Sequence, residues 1–436
     1  MNPQKDVLPT SGWGRYPVVD SVVHRVRWQS DLSTSQTPPA TLAQGRLRSY
    51  GDAGLASSVL STLELNRFLA FDAETGLLET EAGVTLDEIL QFCVPKGWFL
   101  PVTPGTKHPS IGGCVAADVH GKNHHSDGSL VSHVDSLTIV TAEGDVLRCD
   151  RSEHSDLFWA SFGGMGLTGF VYAVCFRLIR ISDSRIEVET HRTTDLAETC
   201  QLLLLTQTEF RYSVAWLDLL SRRRRGRGLV MLGRHASGGP LDLHPAKARS
   251  IPALGGLLVS RPLLRMGNRL YYRRQLRRTQ TTVMHYDPYF YPLDGLRDWN
   301  RVYGRSGFLQ YQFVVPFEAG RECMEEFLDR IDGAACSLAV LKTFGEFPTG
   351  MLGFPRPGWT LALDFRRTTQ TIEMLQHATS VITAAGGRVY LAKDAVVTAE
   401  HFMEMYPRVE EFLAIKHRYD PRSRLRSALS DRLGLT

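Results

Sequence analysis

No apolar run in this sequence reaches the ~18 residues that a membrane-spanning helix needs. The apolar stretch at 251–264 is broken by Arg261 and by two prolines. The opening MNPQKDVLPTSGWGRYP has no basic segment followed by an apolar one, so no secretory leader is expected. Cysteine is sparse: seven residues, at 93, 114, 149, 175, 200, 323 and 336, with no CxxC pair. That scatter argues against a disulfide framework or a cysteine zinc site and for reduced thiols in a cytoplasm. Acids are nearly missing from one segment. Residues 222–278 carry 15 Lys/Arg and one acid, Asp242, a local net charge of +14. The remainder has 35 bases against 45 acids, or −10, so one basic patch sits on an otherwise acidic protein.

What is present suits a soluble globular protein, with 43% hydrophobic and 22% charged residues. A chain of 436 residues exceeds one ordinary core, so two domains or a discontinuous pair are expected. Residues 76–84 read as a strand entering a turn. Residues 85–97 read as a helix, with Thr85 and Glu88 as a capping box, Leu86, Ile89, Leu90 and Cys93 as an apolar stripe, and Gly97 at the exit. Residues 98–126 are dense in Gly, Pro and small residues and read as a long functional loop. Residues 136–149 read as a hairpin around Glu143-Gly144. A short helix from 155 leads through glycines into a buried strand from 170, giving an α+β domain over 1–182. Beyond it, 307–316 and 358–366 read as strands and 321–331 as a helix.

GGMGLTG contains a formal GxGxxG (Gly164, Gly166, Gly169). A dinucleotide-binding turn runs from strand through glycines to helix; here the order is reversed, which argues against that site. The stretch DVHGKNHHS (118–126) spaces His120 and His124 as a zinc helix would, but Gly121-Lys122-Asn123 is a poor helical linker. No metal site is expected. Small residues around His120, including Gly112, Gly113, Ala117 and Gly121, let backbone approach backbone or a flat ligand. The stretch therefore reads as a cofactor-contacting loop, with a solvated polar loop as the plainer alternative. His120 and Lys122 are its chemically useful members. A second loop, LAQGRLRSYGD (42–52), combines Gly45, Arg46 and Arg48 with consecutive N–H groups that can cradle phosphate; a polar turn is its plain alternative.

Taken in order, RSYGD (48–52), PVTPGTKHPSIGGCVAADVHGKNHHS (101–126), FWASFGGMGLTG (158–169), WNRVYGRSGFLQYQFVVP (299–316), PGW (357–359) and YLAKD (390–394) resemble the PCMH-type flavin oxidases of the vanillyl-alcohol oxidase class. Within that class the resemblance is to the decaprenylphosphoryl-ribose 2′-oxidase subgroup. It implies an α+β fold: a bipartite PCMH-type FAD-binding domain (1–182 and 388–436) with an inserted antiparallel-sheet substrate domain (183–387) carrying a basic loop at 222–278. It implies FAD contacts from Gly45, Arg46, Leu47, Arg48, Ser49, Tyr50 and Gly51, from Gly105, Ser110, Ile111, Gly112 and Gly113, and from Ala117, Asp118, Val119, His120 and Tyr390. Arg48 stands where covalent members carry histidine, so the FAD is expected to be non-covalent. Leu47 departs from the small residue that many relatives have there. Where some relatives carry cysteine in the strand after Pro357-Gly358-Trp359, this chain has Ala362, which can form no thiol adduct.

The resemblance also implies that Lys393 is the essential lysine of an alcohol oxidation, with His120 and Tyr50 beside it. Oxidising a secondary alcohol takes hydride from carbon and a proton from oxygen, so a protein group must accept or stabilise that proton. From the residues alone, Lys393 could equally be a surface lysine paired with Asp394. Gln310 and Gln312 alternate with Leu309, Tyr311 and Phe313, which puts both amides on one strand face, suited to sugar hydroxyls or simply exposed. Lys342 stands alone in an apolar run, where a substrate phosphate would be its partner. Trp216, Tyr390 and Lys122 complete the expected substrate wall. The expected partners are a lipid-linked sugar, an NAD(P)H-dependent short-chain reductase acting on the keto product, and the inner face of the plasma membrane, met by arginines interleaved with Leu and Tyr. A disordered basic loop, a soluble sugar-alcohol or aldonolactone oxidase, and nucleic-acid binding through the arginine run are the alternatives; the last leaves the glycine loops unexplained.

Overall fold

A computed structural model describes residues 7–32, 40–221, 225–244, 249–250, 256 and 259–436. Arg222–Arg224 of the arginine run, and most of 251–258, lie outside them. Three larger sheets carry the described fold. The first has the strand order Val7–Ser11, Val18–Arg25, Ser58–Ser61, Thr41–Gln44, with parallel pairing among the last three. The second is antiparallel, in the order Phe68–Phe71, Leu77–Glu81, Phe170–Arg177, Val134–Val140, Val146–Cys149. The third is an eight-stranded antiparallel sheet in the order Thr279–His285, Arg185–Thr193, Arg227–His235, Tyr212–Asp218, Cys336–Phe344, Gly358–Arg366, Phe308–Val315, Arg388–Val389. Sheets and helices together make an α+β fold, and all seven thiols are buried and unpaired.

Local chemistry sets several elements. Helix Leu86–Cys93 starts on the Thr85/Glu88 capping box: the Glu88 N–H donates to Thr85 Oγ1, and the Thr85 N–H donates to Glu88 Oε2 at 2.7 Å. Its stripe Leu86, Ile89, Leu90 and Cys93 is buried, and Gly97 takes a left-handed turn at φ 79°. Strand Phe308–Val315 is buried along its whole length. Tyr311 and Phe313 face helices Phe317–Arg330 and Thr369–Ala384, with the Tyr311 ring stacked on Phe327. Gln310 and Gln312 therefore face the other way, toward the cavity described below.

Tertiary packing overrides two expectations. The long segment 98–126 is not loop throughout, because Ile111–Ala116 forms a short helix and His124–Asp127 a single turn. Two glycines weaken that first helix, but they let it lie on Ala82: a Cβ at Gly112 would meet the Ala82 Cβ at 2.7 Å. The described residues of the basic segment 222–278 are not loop throughout either. Arg227–His235 is an interior strand of the eight-stranded sheet, held by buried Leu229, Val230 and Leu232, and Arg261–Arg274 is a helix.

After Arg388–Val389 pairs with Phe308–Val315, the chain turns back onto the first 60 residues. The Tyr50 N–H donates to the Ala392 carbonyl at 2.9 Å, and the Ala428 N–H to the Leu55 carbonyl at 2.7 Å. Thr85→Ala removes one arm of the capping box. It should cost about 1 kcal/mol, read as a lower denaturation midpoint and faster amide exchange at Glu88; unchanged values of both would contradict the cap's role.

Candidate functional site

The turns of residues 45–50 and 105–117 face each other across a cavity of about 1020 Å³. A Cβ at Gly45 would stand 2.3 Å from Ser110 Oγ, so the first loop lies against Ser110 only because residue 45 has no side chain. Leu47 takes a left-handed φ of 51°, a conformation that a residue with a branched side chain adopts at a cost. Among the described residues, the N–H groups of 46–49 donate to no backbone carbonyl. The Arg48 guanidinium lies over the Trp13 ring at 4.2 Å, with its Nε unpartnered. Amides with no backbone acceptor, two arginines and glycines at 45, 105, 112 and 113 fit a dinucleotide diphosphate. Every residue from 45 to 49 lines this part of the cavity, with Gly105, Ser110, Gly112, Gly113, Ala117 and Val119, and Tyr50 lines it as well.

Three expected contacts do not reach the cavity wall. Gly51 is pressed onto the Asp394 carbonyl, where a Cβ would stand 1.6 Å from the oxygen. Ile111 is packed in the core below Val84 and Leu86. Asp118, at φ 40°, turns away and accepts from Ser129 Oγ at 3.0 Å and the Val131 N–H at 3.2 Å; burial pushes its carboxyl up to about 7.

The other half of the cavity gathers Tyr50, His120, Lys122, Trp216, Gln310, Gln312, Lys342, Tyr390 and Lys393 from six separate stretches. Gln312 Nε2 meets His120 Nε2 at 3.0 Å and donates to Thr360 Oγ1 at 2.9 Å. Desolvation, reinforced by Lys342 and Lys393, holds the His120 imidazole well below its usual range and therefore neutral. Lys342 Nζ has the Gly121 carbonyl at 3.2 Å, and desolvation and the neighbouring lysines hold it well below the usual lysine range. Lys122 is tied to the wall: Nζ donates to the Tyr289 carbonyl and sits 4.1 Å from that ring's centroid. Desolvation lowers it to about 7. The Trp216 ring is edge-on to Tyr271 at 4.8 Å, and the Tyr390 hydroxyl donates to the Ala117 carbonyl at 2.8 Å. Burial raises the Tyr50 phenol, whose ring centroid is 5.7 Å from Lys393 Nζ.

Lys393 does not pair with its neighbour in sequence. Asp394 accepts from the Val396 and Val397 N–H groups and forms an ion pair with Arg432 at 2.9 Å. The acid that acts on Lys393 is Asp364, which the sequence reading missed. Asp364 stands opposite Gln310 in the strand register, and Gln310 Nε2 donates to it at 2.5 Å. Desolvation lowers Lys393 to about 8, opposed by the Asp364 charge, while burial raises Asp364 to about 7. An acid inside the apolar alternation WTLALDF was the available clue. Asn268 and Tyr271, in the basic segment, also line the cavity and were missed. Among the described residues, Gln310 Oε1, Gln312 Oε1, Asp364 Oδ2 and His120 Nδ1 have no hydrogen-bond partner. Three buried acceptors without donors, beside a His120 Nδ1–H left as a donor because Nε2 accepts from Gln312, call for a ligand rich in hydroxyls.

His124 and His125 serve the wall. His124 packs on Phe344 at 4.3 Å and burial pushes it down to about 3, while His125 Nε2 lies 2.9 Å from the Phe210 carbonyl. Among the described residues no three His, Cys, Asp or Glu side chains gather in a metal-binding arrangement.

Residues 33–150, which span both glycine loops, match the FAD binding domain family, and residues 360–433 match the D-arabinono-1,4-lactone oxidase family. The chain is 34% identical to the decaprenylphosphoryl-β-D-ribose oxidase of Mycolicibacterium smegmatis over 97% of each chain. It is 33% identical to an uncharacterised protein in the mprA 5′ region of Streptomyces coelicolor, over 81% of this chain and 100% of that one. A shorter match, 33% over 27% of this chain, is to the mitochondrial D-2-hydroxyglutarate dehydrogenase of Bos taurus, of which it covers 23%. Gly51→Ala should force the 45–51 loop off the Lys393 turn at a cost of about 2 kcal/mol. The expected readout is less flavin absorbance per purified chain and a lower melting temperature; wild-type values for both would show that this contact is not needed.

Proposed function

Because this chain belongs to the decaprenylphosphoryl-β-D-ribose oxidase family and is an FAD-dependent oxidoreductase, we propose that it oxidises the C2′ hydroxyl of a polyprenyl-phosphoryl pentofuranose, a ribose, to the 2-keto sugar. In this reading residues 1–182 and 388–436 together hold FAD non-covalently, and 183–387 present the sugar. One observation carries it: a glycine-lined half with amides that have no backbone acceptor and a half holding Lys393, Asp364, Gln310 and Gln312 are parts of a single cavity. FAD bound in the glycine-lined half supplies a flavin that accepts hydride from carbon. The neutral Lys393 amine takes the hydroxyl proton, and the Gln310, Gln312 and Asp364 oxygens accept from the remaining hydroxyls. His120 and Thr360 fix the Gln312 amide. Lys342, lacking a carboxylate partner among the described residues, meets the phosphate. The keto product passes to a separate NAD(P)H-dependent reductase, completing a ribo-to-arabino epimerisation at the inner face of the plasma membrane. No helix among the described residues is long and apolar enough to cross that membrane.

The match of residues 360–433 to D-arabinono-1,4-lactone oxidase favours a second reading, oxidation of a soluble aldonolactone or sugar alcohol. Anaerobic mixing separates the two. A polyprenyl-phosphoryl ribose should bleach the flavin, and Lys393→Ala should keep its flavin but not bleach. Bleaching by free aldonolactones or polyols, with none by the lipid-linked sugar, would select the second reading.

The rate of bleaching should fall as pH drops through about 8, because a protonated Lys393 cannot accept a proton. The Asp364 charge helps hold the proton on Lys393, so Asp364→Asn should move this limb to lower pH. A limb that stays in place or moves to higher pH would reject the pairing.

A further inference from the structure

Helix Arg261–Arg274 carries a stripe of apolar residues on its outward side. Its inner face packs Tyr272 against Trp216 and Leu229, and Leu264 against Val259, Tyr303 and Phe308, and is tethered by hydrogen bonds. Arg265 Nε donates to the Leu220 carbonyl at 3.0 Å, Asn268 Nδ2 to Asp218 Oδ1 at 3.0 Å, and the Tyr272 hydroxyl to the Thr193 carbonyl at 3.0 Å. Leu263, Met266 and Leu270, spaced as one helical stripe, are 41%, 56% and 64% exposed. Arg269 and Arg273 flank that stripe on one side and Arg274 on the other by helical geometry. None of the three forms an ion pair with a carboxylate among the described residues. Leu276, just past the helix, is 85% exposed. A helix of a soluble protein normally turns such a stripe to the core; here the polar tethers fix the opposite orientation. Asn268, on the inner face, and Gly267 and Tyr271, on the flank next to the stripe, line the cavity that also holds Lys342 and Gln310.

We propose that this helix is the membrane-docking surface of the enzyme: it lies in the interface of an anionic bilayer, with Leu263, Met266 and Leu270 among the acyl chains and Arg269, Arg273 and Arg274 at the headgroups. Apolar residues between uncompensated cations on an amphipathic helix bind an anionic interface. A second copy of this chain fits less well. A two-fold contact would bring its arginines against identical arginines, and a stripe of three side chains falls far short of a stable dimer interface. The inference rests on the lipid-linked substrate for its purpose: a tail leaving the cavity past Tyr271 emerges beside the stripe, so the sugar enters without the lipid leaving the bilayer.

Flotation of the flavin-loaded full chain with phosphatidylcholine vesicles containing phosphatidylglycerol should recover it with the vesicles, and pure phosphatidylcholine should recover much less. Leu263→Glu, Met266→Glu and Leu270→Glu together should weaken partitioning about tenfold or more. Leu270→Glu alone, at the most exposed of the three positions, should give the same direction in a less perturbed chain. These side chains point away from the cavity, so flavin bleaching by a water-soluble short-chain substrate should stay at the wild-type rate. Undiminished flotation of both variants overturns the docking surface whatever the substrate is. So does a wild-type dimer that the triple variant converts to monomer, or displacement of the wild type from vesicles by duplex DNA. Failure of the soluble substrate to bleach wild-type flavin, with flotation lost in the variants, leaves the docking surface standing and rejects the substrate instead.

Discussion

Arg432 reaches two aspartates at once, and the geometry of the site hangs on that contact. Its Nε and one terminal nitrogen donate to the two oxygens of Asp52 at 2.7 and 2.8 Å, while the same side chain pairs with Asp394 at 2.9 Å. Asp52 closes the loop that carries Arg46, Arg48 and Tyr50; Asp394 closes the turn that carries Tyr390 and Lys393. Two carboxylates this close would repel each other without the guanidinium, whose planar fork can satisfy both. Gly51 lets the two turns touch at backbone distance. The glycine loop of residues 45–51 and the turn that carries Lys393 are thereby fixed to each other.

Beyond that clamp, the cavity gathers three desolvated lysines. Lys122, Lys342 and Lys393 line it, and Asp364 is the acid that acts on Lys393. Desolvation favours neutral amines, and each lysine raises the cost of charging the next. An incoming anion reverses this balance: it brings the counter-charge, and the field that made the lysines hard to protonate becomes a binding force. The same desolvation keeps His120 neutral, so the imidazole can serve the Gln312 amide rather than add a further cation. Strand Phe308–Val315 supplies both amides from a backbone buried on each side, which limits how far they can shift when a ligand arrives.

Much of this was legible in the sequence where the decisive contacts are local. The capping box of Leu86–Cys93 needs only Thr85 and Glu88, and the outward pairing of Gln310 with Gln312 needs only strand alternation. Both glycine loops were visible as clusters of small residues. What stayed hidden depends on distant partners. Ile111–Ala116 is helical because Ala82 leaves room only for Gly112. Arg227–His235 is an interior strand because three buried aliphatic residues outweigh its flanking arginines. Asp364 has chemical meaning only once the register sets it against Gln310, and Asp394 could not be separated from Lys393 until Arg432 was found to claim it. In each case a short-range reading placed the residue, and a long-range contact assigned its task.

The Arg432 clamp also sets an order of events during synthesis. Asp52 precedes its partner by 380 residues, a delay on the order of 20 to 80 seconds at typical ribosomal rates. Through that interval the early glycine loop has emerged with its closing cation still unmade. So long a sequence separation places the contact among the slowest to form. The nascent chain can assemble its first two sheets, which end by residue 177, well before it can grip a nucleotide, and cofactor loading becomes one of the last steps of maturation.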